Sequence, residues 1–102
     1  VEACILAAKA SGTFNGRCFN VACGDRIANS EISNALIKRY PNAKIVNAPW
    51  REGDVMHTQA NINRIHNELG YTPKVTFWEG LDRTIHWYEN NWKLIKKLDV
   101  TI

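Results

Sequence analysis

Several features that mark large classes of protein are missing from this sequence. It has only three cysteines, and this odd number argues against a disulfide framework and favours thiols that act as small apolar side chains in the reducing cytosol. Their spacing does not fit a zinc knuckle, and the three histidines form no helical ligand pair, so no metal site is expected. No run of about 18 apolar residues occurs, which argues against a membrane span.

Dense charge of one sign is also missing. The formal net charge is +3, and the 13 Lys and Arg residues are dispersed apart from a small cluster at Lys93, Lys96 and Lys97. A nucleic-acid surface would need a denser basic stripe, so no nucleic-acid partner is expected. With 45% hydrophobic and 23% charged residues, the composition is that of a globular protein, and the length allows one domain over residues 1–102.

The start of the chain lacks two further features. Residues 1–10 have the composition of an Ala-rich helix, yet no Ser, Thr, Asp or Asn precedes them to cap it. The chain also does not begin with Met. We therefore expect the sequence to be part of a longer protein.

Hydrophobic periodicity predicts both helices and strands. Residues 17–23 alternate with a period of two and end at Gly24-Asp25, which predicts a strand, and residues 44–48 predict a second, shorter one. Helices are predicted at residues 1–10, from Asn29 or Ser30 as N-cap to about Tyr40, at residues 62–69 before Gly70, and from Thr76 onward. This order predicts an α/β fold with a small sheet of two to three strands and about four helices.

The last predicted helix carries the clearest pattern. Thr76 and Glu79 have the spacing of a capping box. Apolar residues then recur at steps of three and four, namely Trp78, Leu81, Ile85, Tyr88, Trp92 and Ile95. Such a stripe is a packing surface, and two short strands offer too little area to cover it. We expect the Trp78–Ile95 stripe to face another part of a longer protein or a second copy in a homodimer.

The segment 50–58 concentrates the groups that could bind a small anion. Arg51 offers a guanidinium fork for phosphate oxygens, and Asp54 can accept hydrogen bonds from vicinal sugar hydroxyls. Gly53 allows the backbone to come close to a ligand. The alternative is an ordinary Arg–Asp pair on a surface turn, with His57 as a structural hydrogen-bond partner.

Two motif matches fail on their context. Tyr40 and Lys44 have the Tyr-x-x-x-Lys spacing, but Pro41 breaks the helix that would place both side chains on one face. Residues 12–16 lack the third glycine of a dinucleotide fingerprint and follow a helix instead of a strand. Gly24-Asp25-Arg26 follows a predicted strand, but it also lacks the glycine series.

Several segments together nevertheless resemble one family. They are the Ala-rich helix after Val-Glu-Ala at 1–3, Phe-Asn-Val-Ala-Cys-Gly at 19–24, Ser-Glu-Ile at 30–32, Arg-Glu-Gly-Asp-Val-Met-His-Thr at 51–58, Leu-Gly-Tyr-Thr-Pro at 69–73 and Glu-Gly-Leu at 79–81 with Trp-Tyr at 87–88. In this order they resemble the carboxyl-terminal part of extended short-chain dehydrogenase/reductases, specifically the NAD-dependent sugar-nucleotide epimerase/dehydratase family and its UDP-hexose 4-epimerases. Ala22 and Asn61 depart from the family pattern, which usually has Gly and Asp there.

The resemblance implies roles for three residues. Arg51 would contact the diphosphate of a UDP-sugar, Asp54 the ribose hydroxyls, and His57 would support them. The family's glycine-rich NAD loop, catalytic Ser/Thr and helical Tyr-x-x-x-Lys belong to its amino-terminal Rossmann half and are missing from this sequence.

The resemblance therefore implies a substrate-binding subdomain without its Rossmann half. Such a cytoplasmic subdomain would have no catalytic residue and no cofactor site of its own, and it would bind a UDP-sugar weakly without turnover. The alternative is a detached, non-enzymatic protein that associates with itself. The sequence alone does not decide which sugar or nucleotide is bound.

Overall fold

The computed structural model describes residues 1–98, and this part of the chain contains four α-helices. They are α1 (Glu2–Lys9), α2 (Asn29–Arg39), α3 (Asn63–Leu69) and α4 (Phe77–Lys97). Each lies where periodicity predicts a helix, so the helical part of the prediction is confirmed. None of these helices is long and apolar enough to cross a membrane.

The predicted α/β fold is wrong, because residues 1–98 contain no β-strand and therefore no two- to three-stranded sheet. The segments 17–23 and 44–48, predicted as strands, have no ladder of backbone hydrogen bonds. Alternation favours a strand only where a neighbouring strand can pair with its N–H and C=O groups. Two short strands do not form an independently stable sheet, and the described chain offers them no third partner.

Side-chain hydrogen bonds hold the first of these segments in place. The Arg64 guanidinium donates to the Cys18 carbonyl at 3.2 Å, and the Asn20 amide donates to the Asn61 carbonyl at 3.4 Å. These bonds tie residues 18–20 to the start of α3. The three cysteines are free and exposed, so their thiols are not packed as the small apolar groups that we expected.

The start of α2 differs from the predicted one. Asn29 and Ser30, the predicted N-caps, lie inside the helix, and Ala28 occupies the N-cap position. The Glu31 carboxylate accepts a hydrogen bond from the Ala28 N–H at 2.8 Å. An acidic side chain in the first turn satisfies a backbone donor there and also favours the helix dipole.

Two other predicted helix boundaries are confirmed. Gly70 ends α3 in the left-handed region with φ of 67°, a conformation that glycine adopts without a steric cost. Thr76 caps α4, because its hydroxyl accepts from the Glu79 N–H at 3.2 Å. The Glu79 carboxylate pairs with Arg83. The return bond of a capping box to the N-cap N–H is not among the hydrogen bonds of the described residues.

The structure buries little apolar surface. Among residues 1–98, only Ala3 and Ile65 are buried hydrophobic residues, and they lie on α1 and α3, the one helix pair in close backbone contact. The Cα radius of gyration is 18.0 Å, whereas a compact domain of about 100 residues has about 13 Å. The chain is therefore open, and α4 leaves much of its apolar stripe uncovered.

A polar cluster links the end of α2 to α4. The Arg39 fork donates to both carboxylate oxygens of Glu89, at 3.3 and 3.1 Å, and the Tyr40 hydroxyl donates to Glu89 Oε1 at 2.7 Å. The bonds from Arg39, and then that from Tyr40, lower the pKa of Glu89 below its ordinary value. The same carboxylate raises the pKa of the Tyr40 phenol.

We predict that this cluster is lost at acid pH. Because the pKa of Glu89 is lower in the folded chain than in the unfolded one, the cluster stabilises the folded chain above the ordinary carboxyl pKa of about 4.3. That contribution disappears as the pH falls through the lowered pKa. In a carboxyl-detected NMR titration, Arg39→Gln should move the Glu89 midpoint upward.

The matched control is Arg17→Gln, which removes an arginine that pairs with Glu68 instead. It should leave the Glu89 midpoint where it is in the unmodified chain. An unchanged midpoint in Arg39→Gln would contradict the assigned cause.

Candidate functional site

The Arg51–Asp54 segment forms a tight turn closed from both sides. The Asp54 N–H donates to the Arg51 carbonyl at 3.0 Å, and the Arg51 N–H donates to Asp54 Oδ2 at 2.9 Å. Gly53 supplies the positive φ of 92° that the turn requires. The sequence predicts a turn here, and the structure contains one.

The Arg51 and Asp54 side chains do not form the ordinary surface ion pair. The Asp54 carboxylate is bonded to the Arg51 backbone, and the ion pairs among residues 1–98 do not include the Arg51 guanidinium. Both residues are exposed. The guanidinium can therefore bind an anion without first breaking an ion pair seen in this part of the chain.

A groove of about 570 Å³ lies next to this turn. One wall is formed by residues 26–29 and Glu31, at the beginning of α2, and the other by residues 55–58. His57 lines this groove, whereas Arg51 and Asp54 do not. The three residues singled out in the sequence are thus neighbours in the chain but do not line one cavity.

Arg26 and His57 join the two walls. Arg26 Nη2 lies 2.9 Å from His57 Nδ1. A guanidinium can only donate hydrogen bonds, so Nδ1 accepts and the imidazole is neutral with its proton on Nε2. This tautomer leaves the Nε2–H as a donor, and the Arg26 fork keeps further N–H groups for a ligand.

A second bond between the same segments lies just behind this pair. The Gln59 amide donates to the Gly24 carbonyl at 2.9 Å. Gly24 has φ of 81°, a backbone conformation that favours glycine. Together the two bonds hold residues 57–59 against residues 24–26, so the groove has two fixed sides.

The amino-terminal end of α2 contributes to the electrostatics of the groove. Ala28 and Asn29, the N-cap and first residue of α2, line it. Free N–H groups and the helix dipole make a helix N-terminus favourable for anions, and the Arg26 charge adds to this effect. Glu31 offsets part of the positive field, and its carboxylate is already bonded to the Ala28 N–H.

Arg26 and Glu31 are the groove residues that sequence reasoning missed. Gly24-Asp25-Arg26 stood out only as an incomplete glycine motif. Its position immediately before a helix start was the available signal, because a cation there reinforces the helix N-terminus. Among the side chains of residues 1–98, no group of three or more His, Cys, Asp or Glu residues could hold a metal ion.

Parts of this chain are similar to enzymes that act on sugar nucleotides. A dTDP-glucose 4,6-dehydratase of Streptomyces niveus is 27% identical over 89 residues, which is 82% of this chain and 26% of that protein. A UDP-glucuronate 4-epimerase of Thermodesulfobacterium geofontis is 33% identical over 70 residues, 69% of this chain and 21% of that protein. UDP-glucuronate 4-epimerase 5 of Arabidopsis thaliana is 42% identical over 57 residues, 56% of this chain and 13% of that protein.

The matched region spans about a quarter or less of the length of these relatives. No family model matches the chain. No solved structure matches it either. The relatives support a relationship between part of this chain and the NAD-dependent epimerase/dehydratase family, which is the family expected from the motifs.

We predict that the Arg26 contact fixes the tautomer of His57. In the unmodified chain at slightly alkaline pH, long-range nitrogen–proton NMR spectra should show a single tautomer with the proton on Nε2, because Nδ1 accepts from Arg26. Arg26→Ala should give a mixture of the two tautomers. Arg64→Ala is the control, since Arg64 bonds the Cys18 carbonyl instead. A proton on Nδ1 in the unmodified chain would rule out the contact.

Proposed function

We propose that this chain is a substrate-binding part of an NAD-dependent sugar-nucleotide epimerase or dehydratase, and that it binds a UDP- or dTDP-sugar. The diphosphate would lie in the groove between the start of α2 and residues 55–58. The observation that carries this proposal is the Arg26–His57 contact of 2.9 Å at the N-terminus of α2. The names of the relatives support a pyrimidine nucleoside diphosphate sugar as the ligand class.

The proposed diphosphate site uses donors that the fold leaves available. Only one of the five N–H groups of Arg26 is needed for His57, and a guanidinium can bind phosphate oxygens in a bidentate manner. The Nε2–H of His57 supplies a second donor on the opposite wall. The first turn of α2 supplies a favourable dipole for the same charge.

The neighbouring turn would hold the nucleoside side of the ligand. Arg51 is proposed to contact the diphosphate from outside the groove, where its guanidinium is exposed. Asp54 is proposed to accept hydrogen bonds from the ribose hydroxyls. A carboxylate has about four acceptor sites, so the bond from the Arg51 N–H does not exhaust it.

The described residues do not fit NAD. A dinucleotide site needs a strand, a glycine-rich turn and a helix in succession, and residues 1–98 contain no strand. No catalytic residue is proposed in this chain either. The proposal is therefore binding without turnover, with the cofactor and the acid/base groups supplied by another part of the enzyme.

We predict that the ligand is recognised through its phosphates. In a titration followed by amide NMR, UDP and dTDP should shift the signals of Arg26, His57 and Arg51, whereas uridine should not. A hydrogen bond to a charged group contributes about 1.5–3 kcal/mol, so Arg26→Gln should weaken UDP binding about tenfold or more. Arg17→Gln removes the same charge at a distant ion pair and should leave the affinity unchanged.

Three outcomes would contradict the proposal. The first is the absence of signal shifts up to millimolar UDP. The second is equal binding of uridine and UDP, which would remove the role of the phosphates. The third is an equal loss in the two arginine variants, which would show only a response to net charge.

A further inference from the structure

We infer that α4 pairs with α4 of a second copy of this chain in an antiparallel arrangement. The surface concerned is the apolar seam, which consists of Trp78, Leu81, Ile85, Tyr88, Trp92 and Ile95. This inference is independent of the proposed ligand groove, because no residue of α4 lines that groove.

The spacing of the seam is that of a helix that packs along another helix. Its six residues follow one another at steps of three and four in strict alternation, an average repeat of about 3.5 residues that keeps a helix face on a partner helix. The seam runs along almost all of α4, a helix of 21 residues. At about 1.5 Å per residue, α4 is roughly 30 Å long.

The described part of the chain leaves this seam largely uncovered. No Cα atom of another helix lies within 8 Å of α4. Trp78, Tyr88 and Trp92 are 42%, 51% and 53% exposed, although aromatic side chains of this size usually bury most of their surface. The link to the end of α2 is the polar cluster around Glu89, which does not cover the seam.

The charges of α4 identify a second copy as the occupant. The first thirteen residues of the helix, 77–89, carry three acidic side chains and one arginine, whereas the last eight, 90–97, carry three lysines and no acid. An antiparallel partner with the same sequence places each acidic half opposite a basic half. A parallel partner would place like charges together. The helix is thus complementary to itself about a two-fold axis.

Strength and direction come from different residues. The large aromatic residues of the seam supply the apolar area. Exposed ion pairs contribute little, and Asp82 and Glu89 already face Arg39, so the charges select the direction of pairing.

Sedimentation equilibrium of the full chain tests the pairing. The unmodified chain should form dimers whose fraction rises with concentration, and Ile85→Lys should weaken the dimer about tenfold or more, since a charge then lies at the centre of the seam. Asn90→Lys adds the same charge on the exposed face and should leave the dimer intact. If Ile85→Lys lowers the helix content, Trp92→Ala takes its place and should also weaken the dimer.

Cysteine cross-linking tests the direction of pairing. In a chain with its three native cysteines changed to serine, Asp82→Cys and Lys96→Cys molecules should form mixed disulfides with each other and not with themselves. Cross-linking of each variant with itself would show a parallel pair. A chain that stays monomeric at all concentrations, or a dimer that Ile85→Lys leaves unchanged, would overturn the inference.

Discussion

The contact between the two irregular segments 24–26 and 57–59 is the constraint on which the candidate site depends. Arg26 meets His57, and Gln59 meets the Gly24 carbonyl, each at 2.9 Å. These bonds give the groove its second wall, fix the imidazole tautomer and set His57 beside the start of α2. Without them, residues 55–58 would have no defined position relative to the helix N-terminus.

The same reliance on polar contacts runs through the molecule. Only α1 and α3 share a buried apolar contact, whereas the end of α2 is tied to α4 by Arg39, Tyr40 and Glu89. A fold held in this way keeps its apolar helix faces available. The open shape and the uncovered seam of α4 have one cause, which is the small amount of apolar surface that the described residues bury against one another.

The sequence predicts the helices well because their signals are local. Gly70 ends a helix and Thr76 starts one through bonds to residues within a few positions. The strands fail because alternation describes one strand and says nothing about a partner. Arg26 was missed for a related reason, since its contact lies 31 residues away. The turn at Arg51–Asp54 could be predicted, but the bond of Asp54 to the backbone instead of to the guanidinium could not.

The most direct test of the account is a crystal structure of this chain grown with UDP. The account predicts that the diphosphate lies within hydrogen-bond distance of the Arg26 guanidinium and of His57 Nε2, beside the first turn of α2. A diphosphate bound elsewhere, for example on the lysines at the end of α4, with nothing between α2 and residues 55–58, would contradict it.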